Sequence, residues 1–149
     1  MSPKFPEMLT QYTITRYAKK SGMVSKEKGM GRLEEFEQFR MAMNEKIRAE
    51  GNLETNRFWN LDSRVYDSGK IDTRTKEMIG MVSSLVLRCD DCVCYHLIQC
   101  YDKGVDRTMF YELFNIALVV GGSITIPHVR RAVAFLDELD AKRGKTPPK

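Results

Sequence analysis

The chain has 149 residues, 42% of them hydrophobic and 30% charged, which suits one globular domain able to bury a core without disulfide staples. No apolar run approaches the ~20 residues that span a membrane, and the start, MSPKFPEMLTQYTITRYAKK, lacks the apolar core and cleavage site of a signal peptide, so a cytoplasmic protein is expected. The net charge of +4 is carried at the ends: six Lys/Arg against Glu7 and Glu27 in residues 1–31, and four Lys/Arg with no acid in residues 141–149; without a recognition motif these ends read as solubilising, not as a nucleic-acid surface.

Residues 1–31 are polar, with Pro3 and Pro6, and predict a loosely held basic arm carrying at most one helix around Met8–Lys19. From Arg32 the apolar residues Leu33, Phe36, Phe39, Met43 and Ile47 recur at three- and four-residue steps, a helix that Gly51 ends. Thr55 is the expected cap of a second helix bearing Phe58, Leu61 and Val65, broken at Asp67-Ser68-Gly69. Asp72 caps a third, with Met78, Ile79, Val82, Leu85 and Val86 on a broad apolar face. The chain must turn around Arg88–Asp90, and a fourth helix runs from about Asp91 to Lys103, stopping at Gly104. Asp106 caps a fifth, with Phe110, Leu113, Phe114, Ala117 and Leu118 facing inward and Gly121-Gly122 at its end. Pro127 suits the first turn of a last helix through Val129, Val133, Leu136 and Leu139. No convincing period-two segment appears. The expected fold is all-α: a single-domain bundle of about six helices over residues 32–140, with a disordered basic tail at 141–149.

The four cysteines, Cys89, Cys92, Cys94 and Cys100, lie within twelve residues. A tight cluster in a reducing compartment points to redox chemistry or metal binding rather than to a structural framework. In Cys89-Asp90-Asp91-Cys92-Val93-Cys94-Tyr95-His96, residues three and seven apart share one helix face, so Cys89, Cys92 and His96 point the same way if the helix starts near Cys89. The thiolate is the reactive form, and a helix N-terminus favours that anion. His96, one turn beyond Cys92, takes a proton from a thiol when neutral and stabilises a thiolate when charged. Glu77, twelve residues before Cys89, lies on the preceding helix; in an antiparallel hairpin its depth is nearer to His96 than to either cysteine, so it is expected to act on the thiols through His96 or a water.

Zinc is the competing use of these residues. It needs four ligands; Cys89, Cys92 and His96 supply three, with Cys94, Cys100 or His128 as candidate fourths. Cys94 faces the opposite side of the helix and Cys100 lies two turns along, so no metal is expected. Cys94 and Cys100 read as small core residues, and His128, after Pro127, as a helix-start or interface residue.

Glu77, eleven residues, Cys89, two residues, Cys92, three residues, His96: this spacing resembles the active-site signature of the alkylhydroperoxidase D-like branch of the carboxymuconolactone decarboxylase family. The segment Asp72-Thr73-Arg74-Thr75-Lys76-Glu77 looks like that family's lead-in to the catalytic helix. Gly121-Gly122 with the helix His128–Leu139 looks like its closing segment. The resemblance covers residues 56–140. It implies an all-helical homo-oligomer, a trimer or hexamer, with hydroperoxide or disulfide reductase activity: Cys92 as the reactive thiol, Cys89 as its resolving partner, and His96 and Glu77 as the proton relay. It implies no bound cofactor beyond the Cys89–Cys92 disulfide, which an external dithiol resets, either a lipoyl group or a thioredoxin-like protein. Some members carry a His directly before the second cysteine. Here Asp91 stands there, and its charge disfavours the thiolate while the helix dipole and His96 oppose it.

The expected function is therefore an antioxidant peroxidase or disulfide reductase of peroxiredoxin type. Two alternatives are a decarboxylase acting on a lactone acid, for which the cysteine pair would be idle, and a non-enzymatic redox sensor that uses the pair as a switch.

Overall fold

A computed structural model describes residues 29–144. The expected arm therefore lies outside the described residues except for its last three, as does the helix expected at Met8–Lys19. Six α-helices make up the described part: α1 Arg32–Glu50, α2 Leu53–Val65, α3 Thr73–Val86, α4 Asp90–Asp102, α5 Arg107–Gly121 and α6 Ile126–Arg143, with a 3-10 turn at Ser123–Thr125. No strand occurs among the described residues, and the all-α bundle expected from the sequence is the fold observed.

Side-chain caps set most of the helix starts. Asp72 accepts a hydrogen bond from the Thr75 amide and from its hydroxyl, and Asp106 accepts one from the Met109 amide. At α2 the cap is Asn52, not Thr55: the Asn52 carboxamide oxygen accepts from both the Thr55 amide and its hydroxyl. Thr55 is three residues too late because its own amide is one of the orphan donors being satisfied. α1 starts at Gly31 without a cap of its own, and Glu138 on α6 supplies one, its carboxylate accepting from the Leu33 amide at 2.8 Å.

The core lies where α3, α4, α5 and α6 meet. It contains Met81 and Leu85 of α3, Val93, Leu97 and Cys100 of α4, Phe110 and Phe114 of α5, and Phe135, Leu136 and Leu139 of α6. A polar knot ties three helices together. Asp140 of α6 is buried, accepts from the Tyr101 hydroxyl of α4 at 2.9 Å, and pairs with Arg107 of α5 at 2.8 Å. The last helix continues to Arg143, three residues into the expected disordered tail. Lys142 pairs with Glu37, and Arg143 with Asp102, which holds this last turn.

α1 docks on this core by one end. Leu33 is buried, and the Phe36 ring meets Phe135 edge-on with centroids 5.9 Å apart. The rest of its apolar stripe is not part of this core: Phe39, Met43 and Ile47 stay exposed. The apolar face of α2 does the same, with Phe58, Leu61 and Val65 all more than half exposed. Lys76 of α3 anchors the end of α2 by donating to the carbonyls of Val65 and Asp67 at 2.8 and 2.6 Å.

Candidate active site

The turn from α3 into α4 places the cysteine motif. The Cys89 amide bonds the Ser84 carbonyl and the Arg88 amide bonds the Leu85 carbonyl, the paired closing bonds of a Schellman end. Such an end needs a left-handed residue, and Arg88 supplies it at φ 62°. The next residue, Cys89, is the N-cap of α4, and its sulfur accepts from the Cys92 amide at 3.4 Å. Cys89 and Cys92 are joined by a disulfide, with Cα atoms 5.3 Å apart, inside the range for an easily accommodated bridge. Cys92 is exposed and Cys89 is half-buried. A reducible bond thus sits on the first turn of a helix, where the unpaired amides favour a thiolate once it opens.

The two aspartates between the cysteines have different surroundings. Asp90 turns to α6, where its carboxylate meets His128 Nδ1 at 2.7 Å and Arg131 Nε at 2.8 Å. His128 is thus a helix-start residue that pins the motif. Asp91 is exposed and lines the cavity beside Cys92.

His96 and Glu77 come together as the sequence spacing anticipated. His96 Nδ1 lies 2.7 Å from Glu77 Oε2, and both residues are buried, at 7% and 2% exposure. The other Glu77 oxygen faces Lys103 Nζ at 4.0 Å. An acceptor-only carboxylate on Nδ1 places a proton on that nitrogen and leaves Nε2 as the basic face of neutral His96. Nε2 faces the Tyr66 hydroxyl at 3.5 Å, and the Tyr95 ring packs edge-on against the imidazole. The back of the ring rests on Gly80, where a Cβ would come within 2.6 Å of His96 Cε1.

Cys92, His96, Tyr66 and Tyr95 open onto one cavity of about 380 Å³. Its far wall is α1, contributing Phe36, Phe39, Arg40, Met43 and Ile47, so the stripe left out of the core lines the site instead. The Arg40 guanidinium stacks over Tyr95 at 4.3 Å. Cys94 and Cys100 are buried away from it. Burial pushes the Cys94 thiol up to about 11 and the Cys100 thiol up to about 12, so both stay protonated and inert at neutral pH. Among the described residues no group of three His, Cys, Asp or Glu side chains is placed to hold a metal ion.

Sequence reasoning missed Gly80, Lys103, Tyr66 and the α1 wall. Two of these carried a signal. Gly80 is three residues beyond Glu77 on the same face of α3, and Lys103, at the C-cap of α4, is seven beyond His96. Tyr66 and α1 reach the site through tertiary contacts that no local spacing announces.

Comparison with known proteins agrees with this arrangement. The model of the carboxymuconolactone decarboxylase family matches residues 54–135. Among curated proteins, uncharacterized protein 4 in the cox locus of Paracoccus denitrificans is 27% identical over 99 residues, 66% of this chain and 88% of that protein. Two crystal structures of TM1620 from Thermotoga maritima are similar at TM-scores of 0.72 and 0.70, with 52% and 54% identity, over 75% of this chain and 98% and 97% of theirs. A part in the antioxidative response has been suggested for TM1620. A carboxymuconolactone decarboxylase family protein from Legionella pneumophila, 20% identical, shares the fold at a TM-score of 0.66 over 72% of this chain and 96% of its own. With a family match running from α2 into α6 and enclosing Glu77, both motif cysteines and His96, the chain belongs to the carboxymuconolactone decarboxylase family.

Proposed function

We propose that this protein is a thiol-dependent oxidoreductase of the alkylhydroperoxidase D-like branch, reducing hydroperoxides or disulfides through Cys92 and Cys89. The observation that carries this reading is a bridged cysteine pair on the first turn of α4, opening onto the same cavity as a histidine backed by a buried carboxylate. Cys92 is the more exposed residue of the pair and takes the role of attacking thiol; Cys89, half-buried at the N-cap, resolves.

The chemistry balances as follows. The Cys92 thiolate attacks the outer peroxide oxygen and becomes a sulfenic acid, the O–O bond breaks, and the leaving alkoxide takes a proton to give an alcohol. Cys89 then attacks the Cys92 sulfur, the S–O bond breaks, and hydroxide leaves with the Cys89 proton as water. A dithiol donor, a lipoyl group or a thioredoxin-like protein, gives two electrons and two protons to reopen the disulfide. His96 receives and returns the thiol protons, and Glu77 stabilises the imidazolium. In the test, hydroperoxide consumption is followed with several dithiol donors. Cys92→Ser abolishes it, and His96→Gln slows it by at least about tenfold. Wild-type consumption no greater than that of Cys92→Ser with every donor contradicts the peroxidase reading.

Assembly into a homo-oligomer, a trimer or hexamer, belongs to the same proposal. Val119 and Val120 at the end of α5 are 86% and 66% exposed, and Phe58, Leu61 and Val65 expose the apolar face of α2. Such exposed apolar surface suits contact with further copies. Sedimentation at micromolar concentration gives a species several times the 17.2 kDa chain if this is right, and a monomer if it is not.

A further inference from the structure

We propose that Tyr66 is a proton-relay residue for the thiol chemistry, its hydroxyl linking Nε2 of His96 to the cavity onto which Cys92 opens. The inference rests on the oxidoreductase reading above and adds a residue from outside the cysteine motif. Three sides of the imidazole are already taken: Nδ1 by Glu77, the back of the ring by Gly80 and the edge by Tyr95. Nε2 is the side through which protons must enter and leave. Among the described residues, the group that meets it is the Tyr66 hydroxyl, at 3.5 Å, with the two rings tilted at 44° and centroids 5.3 Å apart.

A hydroxyl suits this position because it both donates and accepts. It donates to Nε2 when His96 is neutral and accepts from Nε2–H when His96 is charged, so His96 keeps a partner in both states. Burial first, then the charges of Glu77 and Asp62 and the nearby Tyr95, hold the Tyr66 hydroxyl above the usual tyrosine range, so it carries its proton throughout the neutral range. The charged and titratable groups around the pair are Glu77 from α3 with Lys103 behind it, Tyr95 and Asp91 from α4, Asp62 from α2 and Arg40 from α1. A thiol presented in the cavity then ionises without any change of oxidation state. Its S–H bond breaks as the proton passes to the Tyr66 oxygen, while the former Tyr66 proton passes to Nε2. The products are a thiolate and an imidazolium paired with Glu77. Lys76, bonded to the carbonyls of Val65 and Asp67 on either side of Tyr66, holds the backbone that carries the hydroxyl.

The test is the rate of Cys92 alkylation by iodoacetamide in the reduced full-length protein, followed by mass mapping from pH 5 to 10 for wild type, Tyr66→Phe and His96→Gln. Removing only the hydroxyl raises the midpoint of the profile by about half to one pH unit, which slows alkylation about three- to tenfold at pH 7. The high-pH plateau and the melting temperature stay unchanged. A Tyr66→Phe profile that overlies wild type, or one slowed equally at every pH, overturns the proposal. His96→Gln separates the two levels of the argument. If it shifts the profile and Tyr66→Phe does not, only the role of Tyr66 falls; if neither shifts it, the histidine relay itself has failed.

Discussion

Glu77 and His96, nineteen residues apart in the chain, meet 2.7 Å apart inside the bundle. Removing the Glu77 charge while keeping its shape tests whether this contact serves chemistry. Glu77→Gln no longer stabilises the imidazolium and no longer dictates which ring nitrogen carries the proton. Dithiol-driven hydroperoxide turnover is expected to fall at least about tenfold, with an unchanged far-ultraviolet dichroism spectrum showing that the helices remain.

Gly80 gives a prediction opposite to the helix rule. Replacing glycine by alanine inside a helix ordinarily stabilises by about 1 kcal/mol. Here the new Cβ lands 2.6 Å from His96 Cε1 and 2.8 Å from Nε2, so the ring must move off Glu77. Gly80→Ala is expected to lower stability by about 1–3 kcal/mol in urea denaturation and to reduce turnover as severely as His96→Gln.

Arg88 occupies the left-handed position that closes α3, at φ 62°. That conformation costs a side-chain-bearing residue about 1–2 kcal/mol, and glycine carries no such cost. Arg88→Gly is therefore expected to raise the urea midpoint, with a net gain near 1 kcal/mol once the greater freedom of the unfolded glycine is deducted. Activity is expected to persist, since the Cys89 amide keeps its bond to Ser84.

Much of this arrangement was legible in the sequence. Asp72 and Asp106 are caps because a short acidic side chain just before an apolar periodic run satisfies orphan amides locally. The meeting of Glu77 and His96 followed from depth along a hairpin. What the sequence leaves open lies where local pattern and tertiary packing part. The stripe of Phe39, Met43 and Ile47 has a core-like period, yet the bundle behind α1 closes without it, and the stripe lines a cavity. Periodicity reports that a face is apolar, not what it faces. Tyr66 carries no positional signal at all, because its contact with His96 depends on how α2 is anchored through Lys76.

The spare thiols predict a pH dependence. In the unfolded chain Cys94 and Cys100 lose their protons near the usual cysteine value, while burial holds them up at about 11 and about 12 in the fold. The unfolded state then binds fewer protons than the folded state above about pH 9, so stability falls as pH rises. Their contribution is level below about pH 8 and declines from there through about pH 11 for Cys94 and about pH 12 for Cys100. Chemical denaturation across this window is expected to show a shallower decline for Cys94→Ala than for wild type, and mass mapping at pH 8 is expected to find Cys94 and Cys100 unlabelled in the folded protein.

The central claim is that Cys89 and Cys92 form one redox unit. The direct measurement treats fully reduced protein with one equivalent of an organic hydroperoxide, quenches it with an alkylating agent, and maps the bonds by mass spectrometry. The account predicts one alcohol released per chain, a single new bridge between Cys89 and Cys92, and recovery of both thiols on adding a dithiol. Unreacted peroxide with all four thiols still free, or oxidation that stops on one sulfur with no bridge, contradicts it.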